Sequence, residues 1–267
     1  MTKSSTNNIP SRPQSNIFEI VIFLKKISSI LFYAIFIISL LLPFISKDCK
    51  INEVEVLSIL GIINFVLIIS FAGLSFVIDY IFFPKAENIR RADYIDNSFG
   101  SNHNIHESKD YFSNDTANYG IYKAAVNLFE NCLFSLKISS KMLLWEVIKS
   151  IIIAIVIIIL AVQGFQNSQI ALPILQLFLS ASILGELIKL IMYVSKMESS
   201  FNDLKNLFSE DNFKKNPENY IHLYLRYYSN YESALARSSI LLNSKIYKEL
   251  NPSLSKEWEE IKTKLNI

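Results

Sequence analysis

The sequence predicts an all-α polytopic membrane protein: two transmembrane helical hairpins, a helical cytoplasmic insert between them and a helical cytoplasmic tail. Three observations carry this prediction. Of 267 residues, 51% are hydrophobic and only 19% charged, whereas soluble domains run near a quarter charged. The apolar residues fall in long uncharged blocks. Basic residues collect in the connections on one side of those blocks. Composition also removes other classes. Six glycines and seven prolines exclude collagen-like and low-complexity chains. A net charge of +2, from 26 basic and 24 acidic residues, predicts no nucleic-acid partner, which would need a basic surplus or stripe. Cys49 and Cys132 give neither a metal spacing nor a disulfide framework.

Residues 1–16, rich in Ser, Thr, Asn and Pro, are expected to be disordered. The first hairpin occupies 17–83. Twenty uncharged residues separate Lys26 from Lys47, and twenty-three separate Glu55 from Asp79. Helices over about 27–46 and 56–80, rising ~1.5 Å per residue, can each cross a hydrocarbon core about 30 Å thick. A buried helix of a soluble protein seldom needs so long an uncharged run. Pro43 is tolerable in a membrane helix and can bend it. A cleaved signal peptide is the competing reading of the N-terminus. The long polar preamble, and an end at LLPFISKD with no small-x-small site, favour a retained helix.

The second hairpin spans 143–194. Thirty-six residues from Ser150 to Gly185 carry no formal charge, too many for one crossing. The polar break QGFQNSQ, Gln163 to Gln169, divides them, and Pro173 suits the first turn of the next helix. Helices over about 143–162 and 170–194 follow. Glu186 and Lys189, three apart, can share a face. They read either as a pore-lining or gating pair or, in the favoured view, as head-group residues with Lys189 snorkelling. Asn64, Ser70 and Ser75 in the second helix, and Ser180 and Ser182 in the fourth, can line a channel or satisfy one another between helices. Tyr33, Trp145 and Tyr193 are candidate interface anchors.

Lys25 and Lys26 precede the first crossing. Lys85, Arg90 and Arg91 follow the second, Lys141 and Lys149 flank the third, and Lys196 follows the fourth. The outer connections hold only Lys47 and Lys50, offset by Asp48, Glu53 and Glu55. Both termini and the insert are therefore expected on the cytoplasmic side of an inner membrane. FEIVIFLKKISS from Phe18 and FENCLFSLKISS from Phe129 match at seven of twelve positions, each leading into a hairpin. A two-helix repeat explains this, and so does convergence of juxtamembrane helices.

The insert, 84–142, begins with KAENIRRADYIDNSFG, a helix continuing from the membrane and stopping at Gly100. SNHNIHESKDYFSNDTANYG then reads as a loop or lid. A second helix carries Ile121, Ala125, Leu128, Phe129, Cys132 and Leu136 along one stripe. Arg90 and Arg91 can meet a phosphate-bearing signal, or simply anchor the helix on the positive side. Asp93, Asp96, His103 and His106 make D-x-x-D…H-x-x-H, which matches no metal signature, so no metal is expected.

The tail, 195–267, holds eleven basic and ten acidic residues. It reads as helices broken near Asn216-Pro217. Tyr220, Leu223, Tyr224, Tyr227, Tyr231, Ala234 and Leu235 recur at helical spacing, as in a face packed on another helix. Asn251 is expected to cap a last helix with Pro252 at its first position and Trp258 as its anchor. There is no glycine-rich phosphate loop, no G-x-S-x-G and no H-E-x-x-H, and only three histidines. No enzyme activity and no cofactor are expected.

Hairpin, insert, hairpin and tail, with the stretch A-x-x-I-R-R-A-D-Y-I-D-N-S-F from Ala86 to Phe99, resemble a family of small bacterial four-transmembrane pore-forming effectors. That family is associated with nucleotide-signalling anti-phage defence. The resemblance covers most of the chain as architecture and about fourteen residues as motif, and it carries over no ligand residue. It implies a homo-oligomer that breaches the inner membrane when a nucleotide second messenger or a signalling protein triggers it. Oligomerisation also follows from size, because a four-helix protomer is too small to enclose a wide pore. The alternatives are a membrane anchor or scaffold recruiting a cytoplasmic partner, a small transporter, and a membrane enzyme using Asp93, Asp96, His103 and His106.

Overall fold

A computed structural model describes residues 15–48, 53–103, 114, 117–164 and 182–267, and no strand occurs among them. In chain order the helices are α1 (Ser15–Asp48), α2 (Glu53–Val77), a π turn (Ile78–Phe82) and α3 (Phe83–Phe99). Next come α4 (Ile121–Gly164), α5 (Ser182–Ser209), α6 (Asp211–Lys215), a 3-10 turn (Pro217–Tyr220), α7 (Ile221–Ser238) and α8 (Ser244–Leu265). Residues 1–14, 49–52 and 165–181 lie outside the described residues, and with them most of both hairpin turns and the first half of the predicted fourth helix. The expectations for His106, Pro173 and Ser180 lie outside them too. Ser15 and Asn16, expected disordered, instead open α1.

Between Lys26 and Lys47 α1 carries no charge, nor does α2 beyond Glu55, and the two pair antiparallel. Ser39 faces Asn64, Phe32 faces Phe71 at 6.0 Å, and Phe18 meets Phe83 at 6.5 Å. Among the described residues two helices, over Ile17–Ser39 and Ser58–Phe99, are long and apolar enough to cross a membrane, and only 11% of each apolar stretch is buried. Isolated from lipid, such a pair would hold most of its apolar surface in water, against the direction of the hydrophobic effect.

α2 runs on through the π turn into α3. Pro84 explains the turn: its ring clashes with the carbonyl four residues back and it donates no hydrogen bond there. Widening to i→i+5 bonding, with Phe83 N–H donating to the Ile78 carbonyl, absorbs both. As expected, α3 stops at Gly100. Its φ of +71° is the left-handed stop that glycine adopts without penalty. A Cβ there would sit 3.0 Å from the Tyr119 ring.

The core lies beyond α3, in the N-terminal half of α4. Ile121, Ala125, Leu128, Phe129 and Cys132 are buried, with Leu136 at the margin. Phe129 is its centre, with ring centroids 5.1 Å from Phe201, 5.6 Å from Phe208 and 5.4 Å from Trp258. α7 adds Tyr224, Tyr231, Ala234 and Leu235. Insert and tail, separate ranges in the sequence, therefore close over one core. α4 passes the expected insert boundary at Met142 without a break, ending at Gly164. A smaller cluster of Val21, Ile78 and Phe83 joins α1 to the π turn.

Two expectations are corrected. Asn251 is not a cap. α8 starts at Ser244, where the Asn243 side chain accepts from the backbone N–H groups of Lys245 and Ile246, and Pro252 sits inside the helix. Pro252 is exposed, so the carbonyl it leaves unpaired can turn to water. Tyr193 is no interface anchor, being 1% exposed inside the core. Trp145 and Tyr33 do stay exposed. The tail breaks at Asn216-Pro217 as expected.

Candidate functional site

A cluster of charged and polar side chains lies where α3 meets α7. α3, which continues α2 through the π turn, carries Arg90 and Arg91 to α7. Arg90 Nη2 donates to both Glu232 oxygens at 2.7 Å, and Arg90 Nε to Glu87 Oε2 at 2.8 Å. Arg91 Nε donates to Glu232 Oε2 at 2.8 Å, and its Nη1 to Asn88 Oδ1 at 3.1 Å. The Arg90 guanidinium also lies 5.9 Å from the Tyr231 ring. Burial alone would ease its proton off, but Glu87 and Glu232 outweigh that and hold its pKa well above the usual arginine value. Both arginines thus close an ion cluster between α3 and α7. A phosphate would have to displace Glu232 to bind them.

Next to this cluster the tyrosines form a second tie. Tyr94 donates its hydroxyl proton to the Ala124 carbonyl at 2.6 Å, so in the 3.1 Å contact between hydroxyls Tyr224 is the donor. The Tyr94 ring stacks on Tyr228 at 5.4 Å. Burial pushes the Tyr224 hydroxyl up to about 12 and the Cys132 thiol well above its ordinary range. A thiol held protonated is a poor nucleophile and metal ligand.

Asp93 and Asp96 lie on one helix, α3. Asp93 and Asp96 are buried. Asp96 Oδ1 accepts from the Ser101 hydroxyl at 2.9 Å and the His103 backbone N–H at 2.8 Å, tying the first loop residues to α3. The His103 side chain is exposed. Beside them Asn127 donates to Asn97 Oδ1 and Ser98 Oγ, and Asn114 donates to Asn127 Oδ1 and Glu130 Oε2. Among the described residues no group of three His, Cys, Asp or Glu side chains is placed to hold a metal ion.

The described polar residues of the apolar helices have different surroundings. Asn64 is buried and donates to Ser39 Oγ at 3.2 Å, a clamp inside the α1–α2 pair. Ser70 is exposed and donates back to the Val66 carbonyl of its own helix at 2.8 Å. Ser75 is half-buried on the same helix. Ser182 opens α5, its side chain outside the described set. Glu186 and Lys189 are exposed, and Lys189 Nζ lies 3.8 Å from Asp79 Oδ2 on the π turn. Lys25, from α1, donates to the Ser239 carbonyl at 3.0 Å.

Sequence reasoning missed Ser39, Asp79, Glu87 and Glu232. Only Glu87 carried a local signal, an i,i+3 spacing to Arg90. Glu232 lies 142 residues from Arg90, and nothing in the chain pattern pairs them. No family profile, characterised protein or solved structure matches this chain.

Proposed function

We propose that the chain is a multi-pass inner-membrane protein, crossing four times with both termini cytoplasmic. It acts as a homo-oligomeric effector that permeabilises the membrane in anti-phage defence when a cytoplasmic signal, a nucleotide second messenger or a signalling protein, reaches the helical core. One observation carries this reading. Among the described residues, apolar helices with most of their side chains exposed run on into a packed helical core: α2 through the π turn and α3, and α4 directly. Lys25, Asp79, Glu186 and Lys189 gather at one level, where a cytoplasmic head-group layer would lie. Exposed Tyr80 and Trp145 suit the same layer. Further along, exposed Ser29 and Ser70 bond back to their own helices, as side chains facing lipid must. On this reading Ser70 faces hydrocarbon, and Glu186 and Lys189 belong to the head-group level.

The test is membrane potential in cells expressing the full chain, with and without phage infection, alongside reporter fusions on each connection. Depolarisation on infection, with connections 49–52 and 165–169 outside, is expected. Unchanged potential with membrane insertion verified would overturn the effector function.

A scaffold is the second reading, favoured by Tyr119, Ile221 and Leu225, large apolar side chains exposed outside the two apolar helices. A partner lost in Leu225→Asp, with potential unchanged throughout, would select it.

A further inference from the structure

We propose that residues Ser239–Asn243, between α7 and α8, are an autoinhibitory strap holding the first hairpin against the helical core. The inference rests on the effector reading and adds its regulation. Two hydrophobic clusters meet at this segment. Ile240 and Leu242 pack on the main core, whereas Leu241 packs on the cluster of Val21, Ile78 and Phe83 at the base of the hairpin. Alternation in an extended segment sends successive side chains to opposite sides. The strap therefore touches both clusters at once.

Both ends of the strap are fixed. Ser239 terminates α7 in the left-handed region, φ 48°, with its N–H donating to the Leu235 carbonyl at 3.2 Å. The Ser239 carbonyl accepts from Lys25 of α1 at 3.0 Å. At the other end the Asn243 side chain caps α8, and its N–H points at Met142 Sδ of α4, 3.4 Å away. α7 itself is held on α3 by Glu232. A displacement of α7 thus reaches the hairpin by two routes: through α3 to the π turn and α2, and through the strap to α1. The π turn is the natural hinge, because its i→i+5 bonding departs from the ladder on either side. Asp79 and Lys189, the ion pair next to it, are both partly solvated and offer little resistance. With the strap seated, α1 and α2 move with the core. With it released, the hairpin is free to rearrange alone.

The experiment compares the wild-type full chain in nanodiscs with Leu241→Ser combined with Lys25→Met, and with Lys25→Met alone as the milder variant. Amide exchange is read over 17–26 and 78–86 at the hairpin base, and over 121–135 and 196–208 in the core. The strap predicts about tenfold faster exchange at the base with the core unchanged, the behaviour of a locally opening unit. Equal acceleration in both regions, or none in either variant, overturns it. In cells the same variants are expected to depolarise the membrane without infection. If wild type depolarises on infection but the variants behave as wild type, autoinhibition is wrong. If wild type never depolarises, the effector reading fails, while the exchange pattern still decides whether the strap couples the two clusters.

Discussion

Glu232 is the residue on which the charged junction turns. Its side chain is 12% exposed and serves two guanidinium groups at once. Removing its charge leaves Arg90, 13% exposed, facing Glu87 alone. Glu232→Gln is therefore expected to cost about 2 kcal/mol, since breaking a largely buried pair strands a charge. Arg91→Ala, at a more solvated site, should cost about 0.5 kcal/mol. Thermal unfolding of the purified protein in detergent measures both. Tyr224 supplies a pH test. Its hydroxyl is pushed up to about 12 by burial, against about 10 for a free tyrosine. The unfolded chain loses this proton first, so the group's contribution is complete below about pH 10 and is lost as pH rises towards 12. Tyr224→Phe should flatten that part of the melting temperature–pH curve. An unchanged slope would show that other groups carry the alkaline loss.

At the scale of elements, the helix signals fared unequally for definable reasons. Gly100 was legible as a stop because a left-handed residue after an apolar-periodic run has one common use. The start of α8 was misread because Asn251-Pro252 has the form of a cap followed by Pro at the first position, whereas Asn243 has no proline behind it. The side-chain bonds decide for Asn243. Asn243→Ala should lower stability by about 1 kcal/mol, and Asn251→Ala should stay within about 0.5 kcal/mol. Denaturant unfolding of the two variants separates them, and a reversed order would restore the sequence-based start. The π turn carried no readable pattern either. The helix continues from the apolar segment past Pro84 as expected, and it does so by widening one turn.

At the scale of the molecule, the proposed bilayer orientation makes a discriminating prediction. Ile62 is 63% exposed on α2. Ile62→Lys should cost about 2.5–3.5 kcal/mol of insertion if that face meets lipid, and almost nothing if it meets water. Leu225→Lys, on the exposed face of α7, serves as the control expected to change nothing. The fraction of each variant resisting alkaline carbonate extraction is the readout, and equal behaviour of the two would argue against lipid on α2. The sequence by itself determined the helical class, the apolar segments, the stop at Gly100 and the buried stripes through Phe129 and Tyr224. All of these are periodic or compositional properties, set by neighbours within a few turns. Tertiary structure alone decided that insert and tail share one core, that Arg90 and Arg91 face Glu232, that Tyr193 is interior and that Ser239 receives Lys25. Those pairings join residues up to 214 positions apart. They arise from the packing of whole helices, and a pattern that repeats every three to four residues holds no information about which distant face will meet it.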